Sequence, residues 1–381
     1  MEAQATEEIL RFFRDVPDPR AGNAWHAFSD VMTIAILAVF CGSRGWADVE
    51  FWAHNHKDWL ATFLKLPHGI PTHDTYDRIF ASIDPDAFEK CFMSWSATLV
   101  ASGKKLIAVD GKTLRQSFEH GWSRTPIHMV SAFVSGNQIV LGQLKVNSKE
   151  NEIVAIPKLL ELLDLKGATV TIDAMGCQKE IAQQIIAQKG NYVLAVKENQ
   201  PTLHEQIVSS FTEARLEKFD GWTHDHTESV ENGHGRIETR KLWVTSDVAH
   251  LGVAKDWPGL KCIVMVESTR QMREKTTSET RYFIASHKKL DATFMAKAIR
   301  AHWQIENGLH HVLDVSMDED ACRLRKEHGA ENFSRLRRIA LNKLRPIVVR
   351  NDRGTDMKAS LRVKQKICGW NRNFLLSALL H

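Results

Sequence analysis

Leu106-Ile-Ala-Val-Asp110-Gly-Lys-Thr and, further along, Thr169-Val-Thr-Ile-Asp173-Ala-Met-Gly are the two stretches that decide the fold. Each is a run of four apolar or β-branched residues followed at once by an aspartate, the pattern of a buried strand ending in an acid. Further β-rich runs lie at His128–Val134, Gln138–Val146 and Tyr192–Val196, and helical spacing marks Glu152–Leu163 and Lys179–Lys189. Three strands, helix, strand, helix, strand predicts an α/β sheet with antiparallel and parallel parts. In an open sheet of this kind ligands sit beyond the carboxyl ends of the strands, so two strand-end aspartates can converge on one cleft. Taken singly, Asp110-Gly111 also reads as a turn dipeptide, and Asp173 as a cap for the next segment.

Working outward, the residues before these strands read as helical, with apolar positions at helical spacing in Ile9–Phe13, Val31–Phe40 and Phe88–Leu99. Among them, Gly69–Phe80 reads as a turn and a short helix. That helix either enters a groove of DNA or packs Ile79 and Phe80 into the core. From about Gln200 to Asp291 the chain turns β-rich again (Glu238–Thr245, Lys261–Glu267, Thr280–Ser286) without strong intervening helices, and reads as an insertion. Ala292–Val315 predicts one long helix and Asn332–Val349 a second. The expected organisation is a helical N-terminal domain over 1–100, a core built from 101–199 and 292–350, a β-rich insertion over 200–291 and a tail over 351–381. At ~100–200 residues per domain, a chain of 381 residues is expected to bury more than one core.

With 43% hydrophobic and 25% charged residues the chain is globular, neither disordered nor fibrous. Its longest apolar run, Val31–Cys41, is about half of the ~20 residues a membrane span needs, so the expectation is a cytoplasmic protein. The cysteines are far apart without a C-x-x-C pair, which excludes a zinc knuckle or a disulfide framework. A net charge of +4 excludes a uniform nucleic-acid coat, but the charge is uneven. Arg323–Arg350 holds nine Lys and Arg against Glu327 and Glu331. Such a segment is either a footprint for backbone phosphates, read by Arg335, Arg337 and Arg338, or a solvated helix face. Lys197, after the strand at Tyr192–Val196, is similarly a phosphate contact or an exposed strand-end lysine. Neither Gly111-Lys112-Thr113 nor Gly233-His-Gly235 completes a nucleotide-binding glycine motif.

In the predicted helix from Ala292, His302, Glu306, His310 and Asp314 recur every four residues and share one stripe. Two chemistries suit it besides a plain ion-pair ladder. Glu306 can join Asp110 and Asp173 as a set of hard oxygen ligands, or His302, Glu306 and His310 can hold zinc as a hydrolase site. The second option lacks an H-E-x-x-H string and leaves Asp110 and Asp173 without a role.

The strings Val109-Asp-Gly-Lys-Thr-Leu-Arg115, Thr171-Ile-Asp-Ala-Met-Gly-Cys-Gln178, Tyr192-Val-Leu-Ala-Val-Lys-Glu-Asn-Gln200, Gly233-His-Gly-Arg-Ile-Glu238 and His302-Trp-Gln-Ile-Glu306-Asn resemble the bacterial insertion-sequence DDE transposases. The branch they resemble includes the H-repeat-associated proteins of Rhs elements, which Val16-Pro-Asp-Pro-Arg20 and Gly69–Phe80 also match. The resemblance implies a ribonuclease-H-like mixed sheet with flanking helices, and three metal-binding catalytic carboxylates, Asp110, Asp173 and Glu306. It implies two magnesium or manganese ions, cleavage and transfer of DNA strands, double-stranded DNA as partner, a homo-oligomer on that DNA, and a place at the nucleoid. Where the broader group carries Tyr, Arg and Lys around the glutamate, this chain has Ile299, His302 and Leu313. Loss of catalysis in a domesticated, DNA-binding remnant is the remaining alternative.

Overall fold

The computed structural model describes residues 7–8, 10–20, 22, 24–100, 105–117, 126–146, 152–233, 235–272 and 275–380. From Phe28 on, the described residues form five helices: α1 (Phe28–Phe40), α2 (Trp46–Asn55), α3 (Lys57–Leu60), α4 (His73–Ser82) and α5 (Pro85–Thr98). The central segment is β1 (Leu106–Leu114), β2 (Ile127–Val134), β3 (Ile139–Val146), α6 (Glu152–Glu161), β4 (Thr169–Ile172), α7 (Lys179–Ala187) and β5 (Asn191–Val196). These follow the order expected from the sequence. In the 9–13 segment Leu10 is helical, as are Glu7 and Glu8, whereas 11–15 form turns and Ile9 lies outside the described residues.

Next come α8 (Pro201–Leu216) and four long strands, β6 (His224–Gly233), β7 (Arg236–Thr245), β8 (Cys262–Met272) and β9 (Lys275–Ala285). The chain closes with α9 (Ala292–Ile305), a π-helical turn (Glu306–His310), α10 (His311–Met317), α11 (Gly329–Leu344), α12 (Leu361–Trp370) and α13 (Arg372–Leu380). The expected absence of a strong helix after Gln200 is corrected by α8. Proline at its first position and the buried Leu203, Ile207, Phe211 and Ala214 give that helix an ordinary start and an apolar stripe.

One sheet runs β3-β2-β1-β4-β5-β9-β8-β7-β6. β1 is antiparallel to β2 and parallel to β4, which is parallel to β5. The first five strands are a ribonuclease-H-like sheet. The inserted strands continue this sheet instead of forming a second lobe, because β9 pairs antiparallel with β5 from Val193↔Ala285 to Val196↔Tyr282. Pairing with β5 stops there, so the part of β9 before Tyr282 and its partners in β6–β8 project past the carboxyl end of β5.

The N-terminal helices do not hold a core of their own. One apolar cluster runs from Phe13 and α1 through β1, β4 and β5 to Leu379, and a smaller one lies between α9 and the inserted strands. The reason is α11, buried along its whole length and packed on α1, α4, α5 and β3. In α4, Ile79 and Phe80 are buried as the packing alternative required, and Asn332 of α11 donates to the carbonyls of Phe80 and Ile83 at 2.8 and 3.0 Å. Residues 351–380 likewise return to the core, with Leu375, Leu376 and Leu379 buried and Lys343 Nζ donating to the Leu379 carbonyl at 2.9 Å.

Candidate active site

The ladder between β1 and β4 ends at Val109↔Ile172, so Asp110 and Asp173 are each the next residue along two adjacent parallel strands. They therefore emerge side by side at the carboxyl end of the sheet. Asp110 does not begin a turn: β1 continues past it, with Gly111 opposite Val130 of β2. The glycine is required there for another reason. A Cβ on Gly111 would lie 2.4 Å from both His128 Nε2 and Glu152 Oε1, a buried pair on the opposite face from Asp110. Asp173 Oδ1 accepts from the backbone N–H groups of Met175 and Gly176 at 3.1 and 3.3 Å, which fixes the carboxylate as the chain turns away from β4.

Glu306 arrives from across the sheet. α9 lies over β1, β4 and β5, and His302 in α9 and His310 in the turn that follows bracket the glutamate. His302 Nδ1 is 3.3 Å from Thr171 Oγ1 on β4, and His310 Nδ1 is 3.6 Å from Asp110 Oδ2. The expected single helix is interrupted where it matters. Glu306–His310 is a π turn, a feature frequent at functional sites. Arg345 donates to the Gly308 carbonyl there, and Gly308 faces the Phe133 ring, 3.4 Å from where a Cβ would stand. A wider turn displaces the exact four-residue stripe read from the sequence, yet it leaves Glu306 exposed between the two histidine contacts.

The electrostatics reflect the crowding of charge around Asp110. Burial, together with the charges of Asp173 and Glu306, pushes the Asp110 carboxyl up to about 7. His302 is held below its ordinary range by burial, and His310 is pushed down to about 3 by burial with Lys112 and Arg338 nearby. Both imidazoles are therefore neutral. Among the described residues no group of three or more His, Cys, Asp or Glu is drawn together closely enough to hold a metal ion. The donor set nevertheless fits hard cations, because mutually repelling carboxylates are what a divalent ion relieves.

A pH prediction follows. Burial and the charge of Asp173 push the Asp110 carboxyl from its ordinary 3.8 up to about 7, so the folded state keeps a proton that the unfolded state has lost. The contribution of Asp110 to stability is thus fully present below about pH 4 and is lost as pH rises through about 7. Asp110→Asn should raise the melting temperature of metal-free protein by several degrees at ~pH 8 and leave it unchanged at ~pH 4. Equal melting temperatures at both values would mean that the carboxylates are not crowded.

Behind the site, Lys112 lies on the Asp110 face of β1 and ties it to the following helices. Its Nζ contacts Asp314, Glu319 at 3.0 Å and Asp320 at 3.4 Å. Glu319 Oε1 also accepts from Ser334 and from Arg338 Nη1, both at 2.8 Å. These contacts correct the reading of the basic segment. Arg335, Arg337 and Arg338 are 1%, 1% and 0% exposed and cannot meet DNA. Arg335 Nε pairs with Glu89 at 2.6 Å, Arg337 donates to the Arg44 carbonyl at 3.2 Å and stacks on Phe333, and Arg338 pairs with Glu319. Over α11 the segment is neither a phosphate footprint nor a solvated face. Its counter-charges, Glu89 and Glu319, come from outside the helix. Lys197, by contrast, is exposed just past β5, at the end of the sheet that carries Asp173.

A sheet of this order, with an acid on each of the first and fourth strands just past the end of their shared ladder, defines a ribonuclease-H-like protein. The chain belongs to the DDE transposases: residues 101–343 match the transposase DDE domain, and residues 10–96 match the DDE_Tnp_1-associated domain. It is 40% identical to "Putative transposase YncI" of Escherichia coli O157:H7, over 98% of this chain and 94% of that one. It is 38% identical to "H repeat-associated putative transposase YhhI" of Escherichia coli K12, over 98% of each. Among solved structures, a piggyBac transposase synaptic complex with hairpin DNA is similar at a TM-score of 0.41 and 10% identity, covering 98% of this chain and 77% of that chain, too distant to argue from. No helix among the described residues is long and apolar enough to cross a membrane.

Proposed function

We propose that this chain cleaves and joins DNA strands at the ends of an insertion-sequence-type element, with Asp110, Asp173 and Glu306 as its catalytic carboxylates. The observation that carries the reading is the register Val109↔Ile172, which sets two aspartates next to each other, with Glu306 bracketed over the same sheet end by the His302 and His310 contacts. Double-stranded DNA is the partner, and a homo-oligomer assembled on it is the working form. Lys197 faces the phosphates next to the reacting bond. The N-terminal helical region, the core divided by its inserted strands and the C-terminal helices are the functional parts of this one machine, and nucleoid association belongs to the same proposal.

When bound, two magnesium or manganese ions would activate the attacking oxygen and stabilise the leaving one during in-line displacement at phosphorus. The chain's own task is to present oxygen ligands in fixed positions. Asp173 is fixed by its two backbone N–H groups and Asp110 by β1, while neutral His302 and His310 orient the helix that carries Glu306. A zinc site on His302, Glu306 and His310 would need both imidazoles turned from their present contacts to one ion.

The histidines separate the two metal chemistries. Changing His302 and His310 together to Gln should leave magnesium- or manganese-dependent cleavage at a reduced rate, roughly 10–100-fold below wild type, with zinc unable to replace either ion. Stoichiometric zinc in the purified protein, lost on His302→Gln together with all activity, would overturn the carboxylate site. Strand-cleavage assays with each metal and metal analysis of both proteins decide it.

A further inference from the structure

The string Gly233-His-Gly-Arg-Ile-Glu238 has no part in the chemistry above, yet it builds a distinct charged cluster. Its glycines lie at the β6–β7 hairpin turn, Gly235 with φ +72°, at the end of the sheet that projects past β5. Glu231, Glu238 and Arg270 are opposite one another in register across β6, β7 and β8 and so share one face. Glu238, only 8% exposed, takes Arg236 Nε at 2.8 Å, Arg270 Nε and Nη2 at 3.1 Å, and Arg240. Glu231 takes Arg240 Nη1 at 3.2 Å and Arg300 Nη2 of α9 at 2.7 Å. Four guanidinium groups therefore rest on two carboxylates, leaving a surplus of two positive charges.

We propose that Arg236, Arg240 and Arg270, gathered on Glu238, form a clamp for the backbone phosphates of DNA led away from the catalytic carboxylates; this rests on the DNA-processing function above. Charge alone does not carry it. The cluster lines an open groove of about 1460 Å³, whose wall includes Trp303 of α9 and, in the turn after it, Asn307, the neighbour of Glu306. A strand that leaves the site along α9 therefore meets the arginines next. Each guanidinium has five N–H donors and uses only part of them on glutamate, so donors remain for phosphate oxygens in a planar fork. Glu238 holds the three side chains in place beforehand, which lowers the ordering cost of binding. A purely structural cross-strand ladder would match its charges one to one. The clamp also accounts for backbone binding after the buried arginines of α11 have been withdrawn from that role.

The test uses the full-length chain and a 30-base-pair duplex of arbitrary sequence, with affinity read by fluorescence anisotropy across a salt series. The triple change Arg236→Gln, Arg240→Gln, Arg270→Gln should weaken binding roughly 10–100-fold at ~0.1 M salt and flatten the slope of log affinity against log salt by about 2 to 3. Replacing the same three by Lys should keep most of the slope. Wild-type affinity and slope in the Gln triple would overturn the clamp and leave a structural ladder. If the triple does not fold, Arg270→Gln alone decides, with a flattening of about 1 expected and an unchanged slope contradicting it. Wild-type protein that fails to bind the duplex at all would instead overturn the DNA-processing reading, and the clamp with it.

Discussion

Asp110→Asn, Asp173→Asn and Glu306→Gln should each cut DNA strand cleavage by roughly 10³-fold or more while leaving duplex binding within about twofold. The magnitude follows from the chemistry. Divalent ions contribute several kcal/mol to a phosphoryl-transfer transition state, and about 4 kcal/mol corresponds to ~10³ in rate. Each substitution keeps side-chain volume and removes one anionic ligand, so the loss falls on metal placement and not on the fold. Binding is spared because backbone contacts lie elsewhere. Quench-flow or gel cleavage assays in parallel with anisotropy give both numbers. Near-wild-type cleavage by the Glu306→Gln protein would remove this residue from the site and point to Asp314 on the same stretch of chain.

The largest effect on stability is expected at Glu319. Burial alone would raise its carboxyl, but the charges of Arg338 and Lys112 outweigh burial and hold it far below the carboxylate range. Both oxygens are engaged, one by Lys112 and the other by Arg338 and Ser334. Glu319→Ala leaves the buried Arg338 without its carboxylate, removes one of the three carboxylates around Lys112 and should cost about 3–5 kcal/mol. Lys326→Gln, an exposed change in the same basic segment, should stay within about 0.5 kcal/mol. Urea midpoints of the two proteins check the contrast. A Glu319→Ala midpoint equal to wild type would mean that the basic segment is solvated after all.

Glu319 also marks the boundary of what a single sequence conveys. Strand identity was legible wherever burial is two-sided, because apolar runs such as Leu106–Val109 and Thr169–Ile172 have few other interpretations. The order of those runs, with the aspartates after them, was enough to anticipate that Asp110 and Asp173 lie on adjacent strands. β6 was not legible: His224–Gly233 is a polar edge strand, mostly exposed, and so carries no alternating apolar signal. α8 could have been read from Leu203, Ile207 and Phe211 at helical spacing, but the β-rich character of the residues after it obscured the pattern. The basic helix misled for a physical reason. A local count of nine bases against two acids omits Glu89 and Glu319, which reach Arg335 and Arg338 only through the fold. The π turn had only Gly308 as a local signal, and the carbonyl it frees is met by the distant Arg345.

The central claim is that three carboxylates from β1, the end of β4 and the turn after α9 make one metal-dependent strand-cleaving site. Incubating the purified wild-type chain with DNA carrying the ends of its own element, with magnesium and with chelator, tests it most directly. The account predicts nicks at the element boundary that appear with magnesium or manganese, vanish with chelator and are absent from the Glu306→Gln protein under the same conditions. Cleavage that persists in chelator, or that Glu306→Gln retains, would contradict it.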